Sequence, residues 1–256
     1  MENNNLLSFN MPEMITAMSP RSNGDLLVAS HRGINNFNFN DKKLTKIIDI
    51  EPDLPNNRCN DGASDAKGRF WIGTMQNNIS SELTDIDITE NSGGLYCVNK
   101  DLTFTKHESN IGISNTFAWS PDNKKFYFTD TLTGIIYSYD FNLESGTIIN
   151  KQEFAKHERG YPDGSTVDSE GYLWSCRWGG SCVIRFDPNG NVDDIIELPV
   201  ENITSCTFGG KNLQTLFITT ARWGISKEDL INNPESGGLF SIDLDIKGIP
   251  DNIFSG

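Results

Sequence analysis

No stretch of this chain is apolar for long enough to cross a bilayer as a helix, and its mean hydropathy is -0.42. The opening residues, Met1-Glu2-Asn3-Asn4-Asn5, lack the basic start and apolar centre of a secretion signal. Cysteine is scarce and odd in number, at 5, and no two cysteines stand in Cys-x-x-Cys spacing. That disfavours a disulfide framework and a structural zinc site, and leads us to expect free thiols in a reducing cytoplasm. The Asn-x-Ser/Thr triplets at Asn78 and Asn202 then read as chance matches rather than glycosylation sites. Only 3 histidines are present (His31, His107, His157), none in register with the polar positions described below, and we read them as surface residues. No Gly-x-Ser-x-Gly elbow, Walker loop or dinucleotide fingerprint occurs. Positive charge is also short: 21 Lys and Arg face 35 Asp and Glu, a net charge of -14. Nucleic acid and anionic membrane surfaces are poor partners for such a chain. Solubility accounts for most of that charge, and cation binding for a smaller part.

What the chain does have is a repeat. A turn leads into an aromatic strand at Ser19–Val28, Asp65–Ile72, Ser120–Phe128, Asp168–Trp174 and Gly209–Ile218. These copies start at 19, 65, 120, 168 and 209, so by subtraction their spacings are 46, 55, 48 and 41. Around each copy the pattern alternates with a period of two. In one unit, Thr116–Trp119 leads in, Phe126–Thr129 follows the turn, Gly134–Tyr139 alternates, and Lys151–Phe154 is more polar. Four short strands per unit, at this period and without helical stripes, predict an all-β fold: a β-propeller of four-stranded blades. A β-sandwich is the second choice, but it does not require the same turn five times. We expect one propeller domain over residues 1–256.

Two connections are longer. Gln76–Gly93 is acidic, with Asp85, Asp87 and Glu90. It reads as a surface loop or lid, because its glycine and closing glutamate are misplaced for a calcium loop. Ala221–Gly237 contains a Ser226-capped segment that predicts one or two helical turns. The last unit shows only three strands, so Leu6–Asn10 is expected to supply its fourth and close the ring.

Counting five residues back from each aligned turn gives Met14, Asn60, Asn115, Asp163 and Thr204. In a propeller these precede the innermost strands and face the channel mouth. Asn60, Asn115 and Asp163 thus bring three oxygen donors from three blades to one axis, a set suited to Ca²⁺, Mg²⁺ or Mn²⁺. Polar turn chemistry alone also favours Asn and Asp at such places. Arg58 adds a fixed cation two residues from Asn60. The five tryptophans lie mostly at strand positions and read as core rather than as a binding platform.

Several of these stretches resemble the SMP-30/gluconolactonase/luciferin-regenerating-enzyme family. They are Arg58-Cys59-Asn60-Asp61-Gly62 with Gly68–Met75, Ile113-Ser114-Asn115 with Ala118–Asp122, and Pro162-Asp163-Gly164 with Asp168–Gly171. Val183–Pro188, Thr204–Asn212 and Gly237–Phe240 extend the match, which runs in order from about Met11 to Gly256. The resemblance implies a six-bladed propeller with one divalent metal ion (Ca, Zn, Mg or Mn) at the channel mouth and a sugar-acid lactone as small-molecule substrate. By motif, Asn115 and Asp163 would ligate the metal, Arg58 and Asn60 would hold the substrate, and Asp163 would help water attack. A monomer or homodimer in the cytoplasm is expected.

The chain also departs from the family. Five repeats stand where the family has six, with the N-terminal blade missing or incomplete. The metal-binding glutamate of that blade is absent. Glu13 adjoins the channel position, but its register turns it to solvent. Thr116 stands where the family often has glycine after the asparagine. The alternative function is therefore a non-catalytic propeller that binds a small ligand or divalent cation. A protein-interaction scaffold is a third.

Overall fold

The computed structural model describes residues 7–256. Its strands form five separate antiparallel sheets in chain order. The first holds β1 (Ile15–Pro20), β2 (Leu26–Ser30), β3 (Gly33–Asn38) and β4 (Lys43–Asp49). The second holds β5 (Asn57–Ser64), β6 (Phe70–Gln76), β7 (Gly93–Val98) and β8 (Phe104–Ile111). The third holds β9 (Ser114–Trp119), β10 (Lys125–Asp130), β11 (Ile135–Asn142) and β12 (Thr147–Lys156). The fourth holds β13 (Tyr161–Val167), β14 (Leu173–Trp178), β15 (Cys182–Phe186) and β16 (Val192–Glu197). The fifth has three strands, β17 (Asn202–Gly209), β18 (Thr215–Ala221) and β19 (Leu239–Asp243). This is a five-blade, all-β propeller.

Burial follows the side-chain pattern. The second strands carry Phe, Trp, Tyr, Ile and Leu and pack on both faces, as β6 does almost throughout. The fourth strands alternate charge and polarity and stay exposed, which protects the sheet edges from further pairing. Buried clusters fill four gaps between successive sheets. Leu27, Ile34, Phe70 and Ile72 occupy the first gap, and Trp71, Phe117, Trp119 and Phe126 the second. Tyr127, Ile136, Leu173 and Ile184 fill the third, and Trp174, Cys206, Leu216 and Ile218 the fourth. Among the described residues no such cluster joins the fifth sheet to the first. There Met18 on β1 is 57% exposed and Leu239 on β19 is 64% exposed. All five cysteines are buried and unpaired. Among the described residues no helix is long and apolar enough to cross a membrane.

The repeated turn has a clear physical role. Asp65 is fully buried; one carboxylate oxygen accepts the backbone N–H groups of Lys67 and Arg69 (2.9 and 3.1 Å). The other accepts from Arg69 Nε (2.7 Å) and the Trp71 indole (2.9 Å). Asp168 repeats the arrangement with the N–H groups of Glu170 and Tyr172, the Trp174 indole, and Arg185 at 2.7 Å. Each aspartate locks its turn and fixes the indole that fills the adjoining gap.

The expected ring closure is corrected. Leu6 lies outside the described residues, and residues 7–10 form no strand. Phe9 instead packs edge-on against Phe37 and Phe39 of the first blade, at 5.3 and 5.9 Å between ring centroids. The C-terminal tail makes the crossing. The Ser169 N–H donates to Lys247 O, and the Gly248 N–H to Leu213 O. Further on, Phe254 N–H reaches Pro20 O, Ser255 N–H reaches Gly68 O, and Phe254 bridges Arg21. The tail thus runs beneath the channel from the fourth and fifth blades to the first and second. The sequence pattern had no strand there to reveal it.

The histidine reading also changes. All three are half-buried, and His107 stacks on Trp71 at 4.8 Å. The Ser226-capped helix α1 (Lys227–Asn232) is present as expected.

Removing a buried turn carboxylate leaves an indole, two N–H groups and a guanidinium short of a partner. Asp168→Ala is therefore expected to cost about 3–5 kcal/mol in chemical unfolding. Asp187→Ala, in a turn of the same type at the surface, should cost about 1 kcal/mol or less. Equal losses would contradict this role for Asp168.

Candidate functional site

Each innermost strand carries a register shift against its neighbour. The shifts fall between Ile15 and Ala17, Cys59 and Gly62, Asn115 and Ala118, Pro162 and Ser165, and Ile203 and Ser205. The polar positions counted from the sequence therefore lie within the first strands rather than before them, at β-bulges. A bulge bends the strand and re-aims a side chain that regular pleating would place elsewhere. Glycine permits the crowding at two of them. A Cβ on Gly164 would meet Thr204 O at 2.8 Å, and one on Gly62 would collide with Trp71 O. Thr116 adopts φ +59, a left-handed conformation unusual for a β-branched residue. Its side chain does not crowd the channel. It is fully buried, and its hydroxyl donates to Asp163 O at 2.7 Å.

Arg58, Asn60, Asn115 and Asp163 all line one cavity of about 490 Å³ at the upper mouth. A hydrogen-bonded chain joins most of them. Arg58 Nε and Nη2 donate to Asn78 Oδ1 (3.2 and 2.9 Å). Arg58 Nη1 donates to Asn60 Oδ1 (2.7 Å) and Cys59 O (2.9 Å). Asn60 Nδ2 donates to Asn115 Oδ1 (3.0 Å) and Ser114 O (2.9 Å). Asn115 Nδ2 reaches Thr131 Oγ1, whose hydroxyl donates to Pro162 O, both at 2.8 Å. Three blades are thereby tied together at one level. Arg58 is only 8% exposed, and burial lowers its pKa to about 10, so it remains charged at neutral pH.

Two carboxylates adjoin this network: Asp61, next to Asn60 in the chain, and Asp163 on the cavity wall. Burial raises the Asp61 pKa to about 6, although it accepts backbone N–H groups from Gly62 and Thr116. Asp163 is raised well above the ordinary value, first by burial and then by the negative charge of Asp61. Neither forms an ion pair among the described residues. Asp65 and Asp168, at the other end of the same sheets, each have an arginine.

The donor set fits a hard divalent cation: two interacting carboxylates without a Lys or Arg partner among the described residues, near the amide oxygens of Asn60 and Asn115, each of which accepts one hydrogen bond and keeps a second lone pair. Among the described residues no three His, Cys, Asp or Glu side chains gather as a metal cluster, so the set is lean. Glu13 is exposed, as its register suggested.

Sequence reasoning missed several groups. Asp61 was noted in its motif without a role of its own. Asn78, dismissed as part of a chance triplet, holds Arg58. Trp178 and Trp223, expected in the core, both line the cavity. Trp223 lies in the 221–237 connection and donates its indole N–H to Asp85 of the 76–93 loop, joining two segments 138 residues apart. No local pattern signals that contact.

The comparisons with known proteins agree with one another. Residues 1–222 match the family model described as SMP-30/Gluconolactonase/LRE-like region. The chain is 34% identical to regucalcin of Gallus gallus over 246 residues, covering 94% of this chain and 81% of that protein. The structure resembles a calcium-binding protein, regucalcin, from Agrobacterium tumefaciens. The TM-score is 0.87 at 30% identity, covering 95% of this chain and 80% of that one. It also resembles a luciferin-regenerating enzyme, with a TM-score of 0.86 at 28% identity, covering 96% and 83%.

An acid whose folded pKa is about 6 is fully compatible with folding only below its unfolded value, and loses stability as pH rises through 6. Asp61→Asn should therefore gain stability relative to the native chain between pH 4 and pH 7, by up to about 3 kcal/mol in metal-free buffer. Thermal unfolding at both pH values checks this. A variant with no greater advantage at pH 7 would contradict the environment described for Asp61.

Proposed function

The chain belongs to the SMP-30/gluconolactonase/LRE-like family, and from that premise we propose that it is a divalent-metal-dependent hydrolase that opens lactones. The observation that carries this reading is the convergence of Arg58, Asn60, Asn115 and Asp163 on one cavity, where Asp163 and its neighbour Asp61 have no Lys or Arg partner among the described residues. The metal would be held by Asp163 and Asn115, with Asp61 close enough to add its charge. A divalent cation bound there would polarise the lactone carbonyl as a Lewis acid.

The chain's own residues supply the rest. Asp163 is the general base: it takes a proton from the water that adds to the acyl carbon, and returns it to the ring oxygen that leaves. Burial and the nearby Asp61 raise its proton affinity above that of an ordinary carboxylate. Arg58 has five N–H donors, of which four make the bonds given above, leaving one for a developing oxyanion. Asn60, held between Arg58 and Asn115, keeps that guanidinium in place.

A second reading follows from the lean donor set. With no third carboxylate gathered beside Asp61 and Asp163 among the described residues, the propeller would bind a cation without turning over a lactone. The regucalcin structure from Agrobacterium is called a calcium-binding protein, which suits that reading as well.

Asp163→Asn is expected to lower kcat for lactone opening by about 10²–10⁴-fold while the protein stays folded. Arg58→Lys should lower kcat/KM by about tenfold or more, since a lysine cannot reproduce the forked contacts. Metal-loaded protein with full activity in the Asp163 variant would contradict the hydrolase reading.

A further inference from the structure

The mouth of the cavity differs in character from its floor. Around the rim stand Ile79, Leu132, Tyr161, Trp178 and Trp223. Leu132 is 49% exposed and Tyr161 is 53% exposed, so large apolar surfaces face the opening rather than the core. This rim is built from ordered pieces. Leu132 lies on a single 3-10 turn capped by Asp130. Tyr161 and Trp178 pair across β13 and β14. Ile79 bridges Asp85, Asp85 accepts the Trp223 indole, and Arg222 Nε donates to Ser236 O at 2.7 Å.

The polar side chains of the cavity are largely engaged with one another. Asn60 and Asn115 use their amide groups on neighbours, Thr131 donates to Pro162 O, and Asp85 accepts from Trp223. A sugar lactone carries several hydroxyls, each needing a partner once removed from water, and an unpaired one costs about 1–3 kcal/mol. At the rim the Asp85 carboxylate and the Tyr161 hydroxyl can pair with a substrate hydroxyl, while Ile79, Leu132, Trp178 and Trp223 offer the larger, apolar contact.

Resting on the lactone-hydrolase reading, we propose that the substrate is a lactone whose ring bears an alkyl or aryl substituent. Leu132, Tyr161, Trp178 and Trp223 select it over the polyhydroxylated sugar-acid lactones that the family resemblance implied. The reaction itself is unchanged. Water adds to the acyl carbon, the ring acyl C–O bond breaks, and the proton passes to the departing alkoxide to give a hydroxy acid.

The test compares δ-decalactone with glucono-δ-lactone as substrates of the full chain loaded with Ca²⁺ or Mn²⁺. We expect kcat/KM to favour δ-decalactone by about tenfold or more. Leu132→Asn and Tyr161→Asn, at half-exposed positions that the fold tolerates, should each raise its KM by about fivefold and shift the ratio toward glucono-δ-lactone. A native preference for glucono-δ-lactone, or a ratio unmoved in both variants, overturns the proposal. If neither lactone is opened, the hydrolase reading fails. The apolar site is then tested by quenching of tryptophan fluorescence: saturable quenching by δ-decalactone that weakens in Trp223→Phe supports it, and no quenching overturns it.

Discussion

One extra residue in each innermost strand shapes everything at the channel mouth. Without the bulges, regular pleating would send alternate side chains into the gaps between blades, where the apolar clusters lie. With them, Asn60, Asn115 and Asp163 leave that alternation and meet at one level. The cost is close backbone contact, which Gly62 and Gly164 permit, and a left-handed residue at Thr116. Thr116 offsets part of that strain by donating its hydroxyl to Asp163 O, so the same residue also links the third blade to the fourth. Rigid sheets on both sides hold the bulges, and the hydrogen-bonded chain from Asn78 to Pro162 keeps the side chains in register.

The same residue type does opposite work at the two ends of the sheets. Asp65 and Asp168 are surrounded by arginine, indole and backbone donors, and they fasten the fold. Asp61 and Asp163 are only partly buried, and among the described residues neither has a Lys or Arg partner, so their charge is unfavourable until something neutralises it. A proton can do so, and a divalent ion can do so better because it serves both groups at once. Strain and unpaired charge of this sort gather at functional sites. Here both occur within the same few residues.

Much of this was readable from the chain. Period-two alternation and the recurring turn before each aromatic strand revealed the blades, because both are local. The Asp-to-Trp spacing within two of those turns is what the buried carboxylate needs to reach its indole. Register counting found Asn60, Asn115 and Asp163, though it placed them one step outside the strands, since a bulge leaves no mark in composition. What stayed hidden was non-local. Trp223 meets Asp85 only because the ring brings distant loops together, and Asn78 acquires its role only beside Arg58. Ring closure was misassigned for the same reason. A polar tail crossing below the channel carries no strand pattern, whereas the segment around Phe9 does, yet it packs on the first blade.

The most direct test of the account is calorimetric titration of metal-stripped protein with Ca²⁺ and Mn²⁺ at neutral pH, with proton release recorded in buffers of different ionisation enthalpy. If the Asp61–Asp163 pair holds the ion, one site per chain will bind and protons will leave as it fills. Titration with no heat, or binding that releases no protons, would contradict the central claim that this carboxylate pair is built for a cation.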